Sequence, residues 1–315
     1  MFVFVNVILL SSIILNVHGF YNDSLARSVL WPLCVNAYNH QVKNCMNGIF
    51  GLNNNVDFGS QITVTCDTHH KSDTCSGYIL AAPSLRSIIL VFRGSAPENQ
   101  VKQELHYTIH HPAKKYSLGG HVNGYFYHGF KALWKAGLQQ SFLKLHSRYP
   151  TFDIIITGHS LGGAMSALAG PKIAQIIAPK KNNINHRRIS IYTFGEPRVG
   201  DHQFNHVLEA AVPEIYRIIH KHDIVAQIPP PGMTPFTKSQ YFHHQTEIWY
   251  NNGMTDGESF MICSKKNECD ETFLKTHANI NDHLTYFNLK IQLNNLQQCV
   301  VAPSTSTPSS IIRRN

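Results

Sequence analysis

The chain has no Cys-x-x-Cys pair, no nucleic-acid-binding signature and no internal repeat. No Pro/Gly-rich or like-charged linker divides its middle. These absences argue against a zinc module, a nucleic-acid reader, a solenoid and a chain of loosely tethered units. Beyond residue 17 there is no second apolar run long enough to cross a bilayer, which takes roughly 20 residues. The net charge of +8 comes from 27 Lys and Arg against 19 Asp and Glu and has no binding motif behind it. Lys180-Lys181 and Arg187-Arg188 flank an Asn-rich loop and read as a solvated face, with weak attraction to anionic lipid surfaces as the functional alternative.

At the amino end, residues 2–17 are almost wholly apolar and run into Val17-His18-Gly19. That pattern predicts a secretory signal peptide spanning residues 1–19 and cleaved after Gly19, although no basic residue opens it. At the other end, residues 301–315 are rich in Ser, Thr and Pro and predict a disordered tail. Between them, residues 20–300 are long enough to bury one large core. A secreted chain meets an oxidising compartment, where seven cysteines imply up to three disulfides and one leftover thiol. Cys66 with Cys75 and Cys263 with Cys269 each bracket a short polar loop, the cheapest closures in loop entropy. Cys34, Cys45 and Cys299 remain, and spacing does not pair them. The sequon Asn22-Asp23-Ser24 makes Asn22 a glycosylation candidate.

Short β-branched runs alternate with helical stretches, which predicts an α/β fold with a mostly parallel sheet covered on both faces. Strands are expected at residues 88–92, 152–157, 189–194, 215–219 and 247–250. Helices are expected at residues 127–147, 161–178, 203–211 and 281–294. The most informative stretch is Gly158-His159-Ser160-Leu161-Gly162. A buried strand precedes it and a small-residue helix follows, the context a nucleophile elbow demands. Gly158 and Gly162 let strand and helix approach closely, and Ser160 is left at the turn as the nucleophile.

A serine nucleophile needs a base and an orienting carboxylate. Asp223 follows the strand Ile215–Ile219 after a short turn, where active-site residues gather; Asp201, in a Gly/Pro loop, is the weaker candidate. His283, leaving a polar loop, is the expected base, while His243 and His244 read as surface residues. The oxyanion needs two donors: the backbone N–H of Leu161, and Ser95 after the strand ending at Phe92. Val101, Leu105 and Ile109 recur at i, i+4, i+8 and predict a short amphipathic lid helix beside Ser95. His106 and His110 share a metal-compatible spacing, but without a third ligand no metal and no cofactor is expected.

In this order, Val91-Phe92-Arg93-Gly94-Ser95, His128-Gly129-Phe130, the elbow, Thr193-Phe194-Gly195-Glu196-Pro197-Arg198-Val199-Gly200, Asp223-Ile224-Val225 and His283-Leu284-Thr285-Tyr286-Phe287 resemble the class 3 lipases, fungal-type triacylglycerol lipases with many secreted nematode members. The resemblance spans roughly residues 20–300 and implies an α/β-hydrolase fold, a Ser160–Asp223–His283 triad, and an oxyanion hole from Ser95 and Leu161. It also implies a Cys34–Cys299 bridge, leaving Cys45 as the odd thiol. The expected activity is secreted ester hydrolysis of acylglycerol at a lipid interface, with transient membrane-surface contact and no stable protein partner. A phospholipase or soluble-ester esterase is the enzymatic alternative. A catalytically silent binding protein is another reading, against which a complete triad with both donors argues, and a metal-dependent hydrolase is a third, which lacks a coherent ligand set.

Overall fold

Side chains alternate across a β-strand, and in the run Ser87–Phe92 both faces are apolar, so this strand is buried on both sides. Ile89 and Val91 enter one core, and Ile88, Leu90 and Phe92 enter the other. The computed structural model describes residues 21–52, 55–66, 73–95, 111–178, 188–230, 240–263, 269, 279–293, 298–301 and 311–313.

The strands are β1 (Asp57–Thr65), β2 (Thr74–Ala82), β3 (Ser87–Phe92), β4 (Ala113–Lys115), β5 (His121–Asn123), β6 (Asp153–His159), β7 (Ile189–Phe194), β8 (Glu214–His220), β9 (Glu247–Tyr250), β10 (Phe260–Cys263), β11 (Thr285–Tyr286), β12 (Leu289–Lys290) and β13 (Ile311–Arg313). The central sheet runs β1-β2-β3-β6-β7-β8-β9-β10-β13. Strands β3, β6, β7, β8 and β9 are parallel, and β1, β2 and β10 add antiparallel flanks. Parallel strands need crossover connections, and helices supply those from β3 to β6, from β6 to β7 and from β7 to β8. Among the helices are α1 (Trp31–Asn36), α2 (Gly124–Leu133), α3 (Gln139–Arg148), α4 (Leu161–Ile177), α5 (His202–Ala211) and α6 (Ile280–Leu284). Helices α2 to α5 cover one face through Phe126, Leu133, Phe142, Leu168 and Leu208. The segment holding α1 covers the other through Leu30, Trp31 and Leu33, joined by Tyr286 and Ile291. Ser160 and Asp223 therefore emerge at one end of the sheet, the carboxyl end of β6 and β8.

Two expected helices differ. Residues 127–147 are interrupted at Gly137, whose φ of 131° no right-handed helix accommodates. Residues 281–294 are not one helix: α6 stops at Leu284 and the β11–β12 hairpin follows. Phe287 and Asn288, with φ of 50° and 60°, make its two-residue turn. The apolar spacing that suggested a helix reflects burial of Leu284, Phe287 and Ile291 by another geometry.

The cysteine pairing implied by the resemblance is corrected. Cys45 bonds Cys299, with Cα atoms 5.0 Å apart, and Cys34 is a free, buried thiol. Asn36 holds Val300 through both backbone groups, laying the C-terminal segment along α1 so that Cys299 meets Cys45. Cys34 faces the sheet instead, with Sγ 3.3 Å from Thr157 Oγ1, and burial pushes its pKa up to about 12. The local bridges Cys66–Cys75 and Cys263–Cys269 are present. In the C-terminal tail, Ile311–Arg313 lies parallel to β10 as an edge strand. The expected signal peptide, residues 1–19, lies outside the described residues, as do Lys180 and Lys181. Asn22 is exposed and caps the first helical turn by accepting from Leu25 N.

Candidate active site

β6 passes directly into α4, and the residue at the junction is Ser160, with φ 59° and ψ −128°. A side chain held at positive φ is strained, a condition that persists only when the surroundings over-determine it. The surroundings here are two glycines. A Cβ on Gly158 would overlap the backbone of Gly162, and one on Gly162 would overlap the backbone of Phe92. Strand, elbow and helix thus touch backbone to backbone, and Ser160 N–H is anchored on Phe194 O at 3.0 Å.

Three side chains from three elements converge. His283 Nε2 lies 2.9 Å from Ser160 Oγ, and His283 Nδ1 lies 2.9 Å from each oxygen of Asp223. All three residues are buried, Ser160 being only 1% exposed. An ionised carboxylate can only accept, so Nδ1 carries the proton and Nε2 is left to accept from the serine hydroxyl. Asp223 also accepts from Val225 N at 2.8 Å and from the Tyr286 hydroxyl at 2.6 Å. Burial by itself raises the Asp223 carboxyl, but the facing His283 ring and the hydrogen bonds from His283 and Tyr286 bring it below its ordinary value. Gly195, at φ 60°, leaves room for the pair: a Cβ there would overlap the Asp223 carboxylate and stand 2.6 Å from His283 Nδ1.

The two expected oxyanion donors flank Ser160. Leu161 is the first residue of α4, so its N–H has no intrahelical acceptor. Ser95 is buried, and its Oγ has no hydrogen-bond partner among the described residues. Gly94 brings this loop in: its missing Cβ would stand 3.0 Å from Ser160 Cβ. Asp201 is elsewhere, capping α5 at Phe204 N and facing His121. His243 and His244, expected at the surface, are both buried. His243 Nε2 bonds Ala226 O and His244 Nε2 lies 2.9 Å from Glu196 Oε1, so both are drawn into a polar layer beside Arg217 and Glu247. The lid positions Val101, Leu105 and Ile109 lie outside the described residues, as do His106 and His110.

Three participants were not anticipated: Tyr286, His159 and Tyr38. Tyr286 grips Asp223 as described. His159, beside Ser160, places Nε2 2.8 Å from the backbone oxygen of His283 and Nδ1 2.8 Å from the Tyr38 hydroxyl. The carbonyl can only accept, so Nε2 carries the proton and Tyr38 donates to Nδ1. Burial, then the nearby His283 ring, holds the His159 pKa well below its ordinary value, so the ring is neutral. It packs on His283 with ring centroids 4.3 Å apart, and Trp31 packs on it edgewise. The signal for Tyr286 was local, three residues after the base. Tyr38 lies 121 residues from its partner, and no spacing rule points to it.

Residues 89–233 match the family model described as Lipase (class 3). A lipase of Caenorhabditis elegans is 32% identical over 297 residues, covering 86% of this chain and 80% of that protein. The solved structure of lipase II from Rhizopus niveus superposes with a TM-score of 0.65 at 24% identity, covering 83% of this chain and 92% of that one. A solved triacylglycerol lipase whose catalytic centre is described as a serine protease triad superposes with a TM-score of 0.65 at 20% identity, covering 84% and 94%. The architecture is the α/β-hydrolase fold.

Proposed function

Because this chain belongs to the class 3 lipase family of serine ester hydrolases, we propose that it hydrolyses acylglycerols at a lipid–water interface, with Ser160, His283 and Asp223 as its catalytic residues. The observation that carries the reading is the continuous line from Asp223 through both ring nitrogens of His283 to Ser160 Oγ. In this reading Ser160 Oγ attacks the ester carbonyl carbon and its proton passes to His283 Nε2. The developing oxyanion takes hydrogen bonds from Leu161 N–H and from Ser95. Each such donor contributes on the order of 3 kcal/mol to the transition state. Collapse expels the alcohol, which takes the proton from His283. Water, deprotonated by the same ring, then releases the acyl group from Ser160. Triacylglycerol is the substrate class suggested by the solved lipase that shares this fold.

The site is closed, with the nucleophile almost wholly buried. An acyl chain reaches it only after something moves, which supports the lid assigned to Val101, Leu105 and Ile109. Three disulfides and the apolar leader support secretion, with residues 1–19 as signal peptide, residues 20–300 as the hydrolase domain and Asn22 glycosylated.

The test compares wild-type protein with Ser160→Ala on triacylglycerol, phosphatidylcholine and a short soluble ester, side by side. Triacylglycerol is expected to be turned over fastest, and Ser160→Ala to abolish every activity while melting at an unchanged temperature. Activity near wild type in Ser160→Ala would sink the triad; faster turnover of phosphatidylcholine or of the soluble ester would move the substrate class.

A further inference from the structure

Between Glu104 and Asp153 the sequence contains no acidic residue. The described part of that span carries Lys114, Lys115, Lys131, Lys135, Lys144 and Arg148. The fold brings Lys114, Lys131 and Lys135 of this set, with His128, onto one outer face. Lys114 and Lys115 are exposed on β4, with Lys115 opposite His121 of β5. This hairpin sits at the carboxyl end of β7, where Val122 bridges to Gly200, the end of the sheet from which Ser160 and Asp223 emerge. The Lys114 stem lies against the first turn of α2, where a Cβ on Gly124 would stand 3.2 Å from Lys114 Cγ. From Gly124, residues His128, Lys131 and Lys135 follow at helical spacing along one face, and all three are exposed.

Lys114 and Lys131 both lie close enough to His128 to act on its ring. Partial burial, then Lys114, then Lys131, lowers the pKa of His128. Neighbouring carboxylates serve other partners, Asp57 binding Arg148 and Asp201 facing His121. Among the described residues, Lys114, Lys115, Lys131 and Lys135 form no ion pair. Like charges held this close repel within the Debye length of about 8 Å, and an anionic partner relieves that repulsion. Half-buried Leu118 in the hairpin turn and Tyr127, whose ring lies 5.2 Å from Lys131 Nζ, stand among the lysines. Lysine heads beside apolar and phenolic side chains match a headgroup layer with hydrocarbon beneath it, better than a nucleic acid or an acidic peptide.

We propose that the face formed by Lys114, His128, Lys131 and Lys135 docks the protein onto a lipid surface bearing acidic headgroups. The orientation rests on the lipase reading, since the same end of the molecule holds the site. The partner is an anionic bilayer or droplet surface rather than a free phosphate. Each lysine near such a surface strengthens partitioning about fivefold, equivalent to about 1 kcal/mol.

The experiment uses full-length Ser160→Ala protein, so that lipid is bound without turnover, and sedimentation with vesicles of phosphatidylcholine alone or mixed with phosphatidylserine. Binding to the mixed vesicles is expected to be at least about tenfold stronger and to weaken as salt rises. Adding Lys114→Glu and Lys131→Glu should abolish the preference, whereas Lys43→Glu with Lys172→Glu, of equal net charge, should keep it. Circular dichroism and melting verify that each variant folds. Equal binding to both vesicles, an equal loss in the control pair, or displacement by inorganic phosphate or DNA in preference to the vesicle would overturn the docking face. Without the Ser160→Ala change, the Lys114/Lys131 variant should hydrolyse a dissolved short ester as fast as wild type. Absence of ester hydrolysis in wild-type protein with the vesicle preference intact would refute the lipase reading and leave the surface standing.

Discussion

At the residue scale, what holds His283 is as informative as His283 itself. Tyr38 donates to His159, which donates to the carbonyl of His283, so a residue before the sheet steadies one after it. Tyr38→Phe removes one hydroxyl and leaves His159 Nδ1 buried without a donor, a loss of roughly 1–3 kcal/mol. Because the hydroxyl acts on His283 only through His159, kcat on a soluble ester should fall several-fold with KM little changed. Equal kcat in the two proteins would reduce the relay to packing. The convergence of Ser160, Asp223 and His283 was legible from chain order and flanking patterns, since the first two follow strands and the third leaves a polar loop. Tyr38 and the burial of His243 and His244 were not, because a side chain's partner far along the chain leaves no local trace.

At the scale of elements, the strands were read closely and the helices less so. An apolar run such as Ile154-Ile155-Ile156 has one stable home, the interior of a parallel sheet. Residues 284–291 have two: the same apolar positions are buried by a helix or by a hairpin, and left-handed Phe287 and Asn288 select the hairpin. A prediction at this scale concerns the proposed lid. Leu105→Asp and Ile109→Asp should impair hydrolysis of an emulsified ester far more than of a dissolved one, because a carboxylate resists transfer into hydrocarbon. Removing a leucine from such a contact forfeits roughly 2 kcal/mol before the charge is counted. Equal proportional losses on both substrates would make the segment a structural helix only.

At the scale of the whole molecule, the Cys45–Cys299 bridge ties the layer over one face of the sheet to the chain's far end across 254 residues. Opening it by Cys45→Ser should destabilise the protein by roughly 3–5 kcal/mol, since a loop this long gains much entropy when freed. Alkylation in denaturant without reductant should label Cys34 alone; label on Cys45 would overturn the pairing. Acid should also loosen the fold. Burial first, and then Arg217 and Arg198, hold His243 well below its ordinary value, as burial and His283 hold His159. The unfolded chain protonates both residues below about 6.5 while the folded chain does not. Stability is therefore full above that pH and declines beneath it. The melting temperature should drop between pH 7.5 and 5, about neutral to mildly acidic on the imidazole scale, and His243→Phe should flatten the slope; a pH-independent melt would contradict it.

The sequence by itself determined the α/β alternation, the elbow, the order Ser160, Asp223, His283, and the two short disulfides. Each is written in a local pattern: apolar period, glycines at a turn, cysteines close enough to close cheaply. The tertiary structure alone decided that Cys45 rather than Cys34 meets Cys299 and that two surface-like histidines are interior. It also decided that Tyr38 and Tyr286 secure the site and that scattered lysines form one face. Those outcomes depend on which distant segments pack together, and packing is set by the whole core at once.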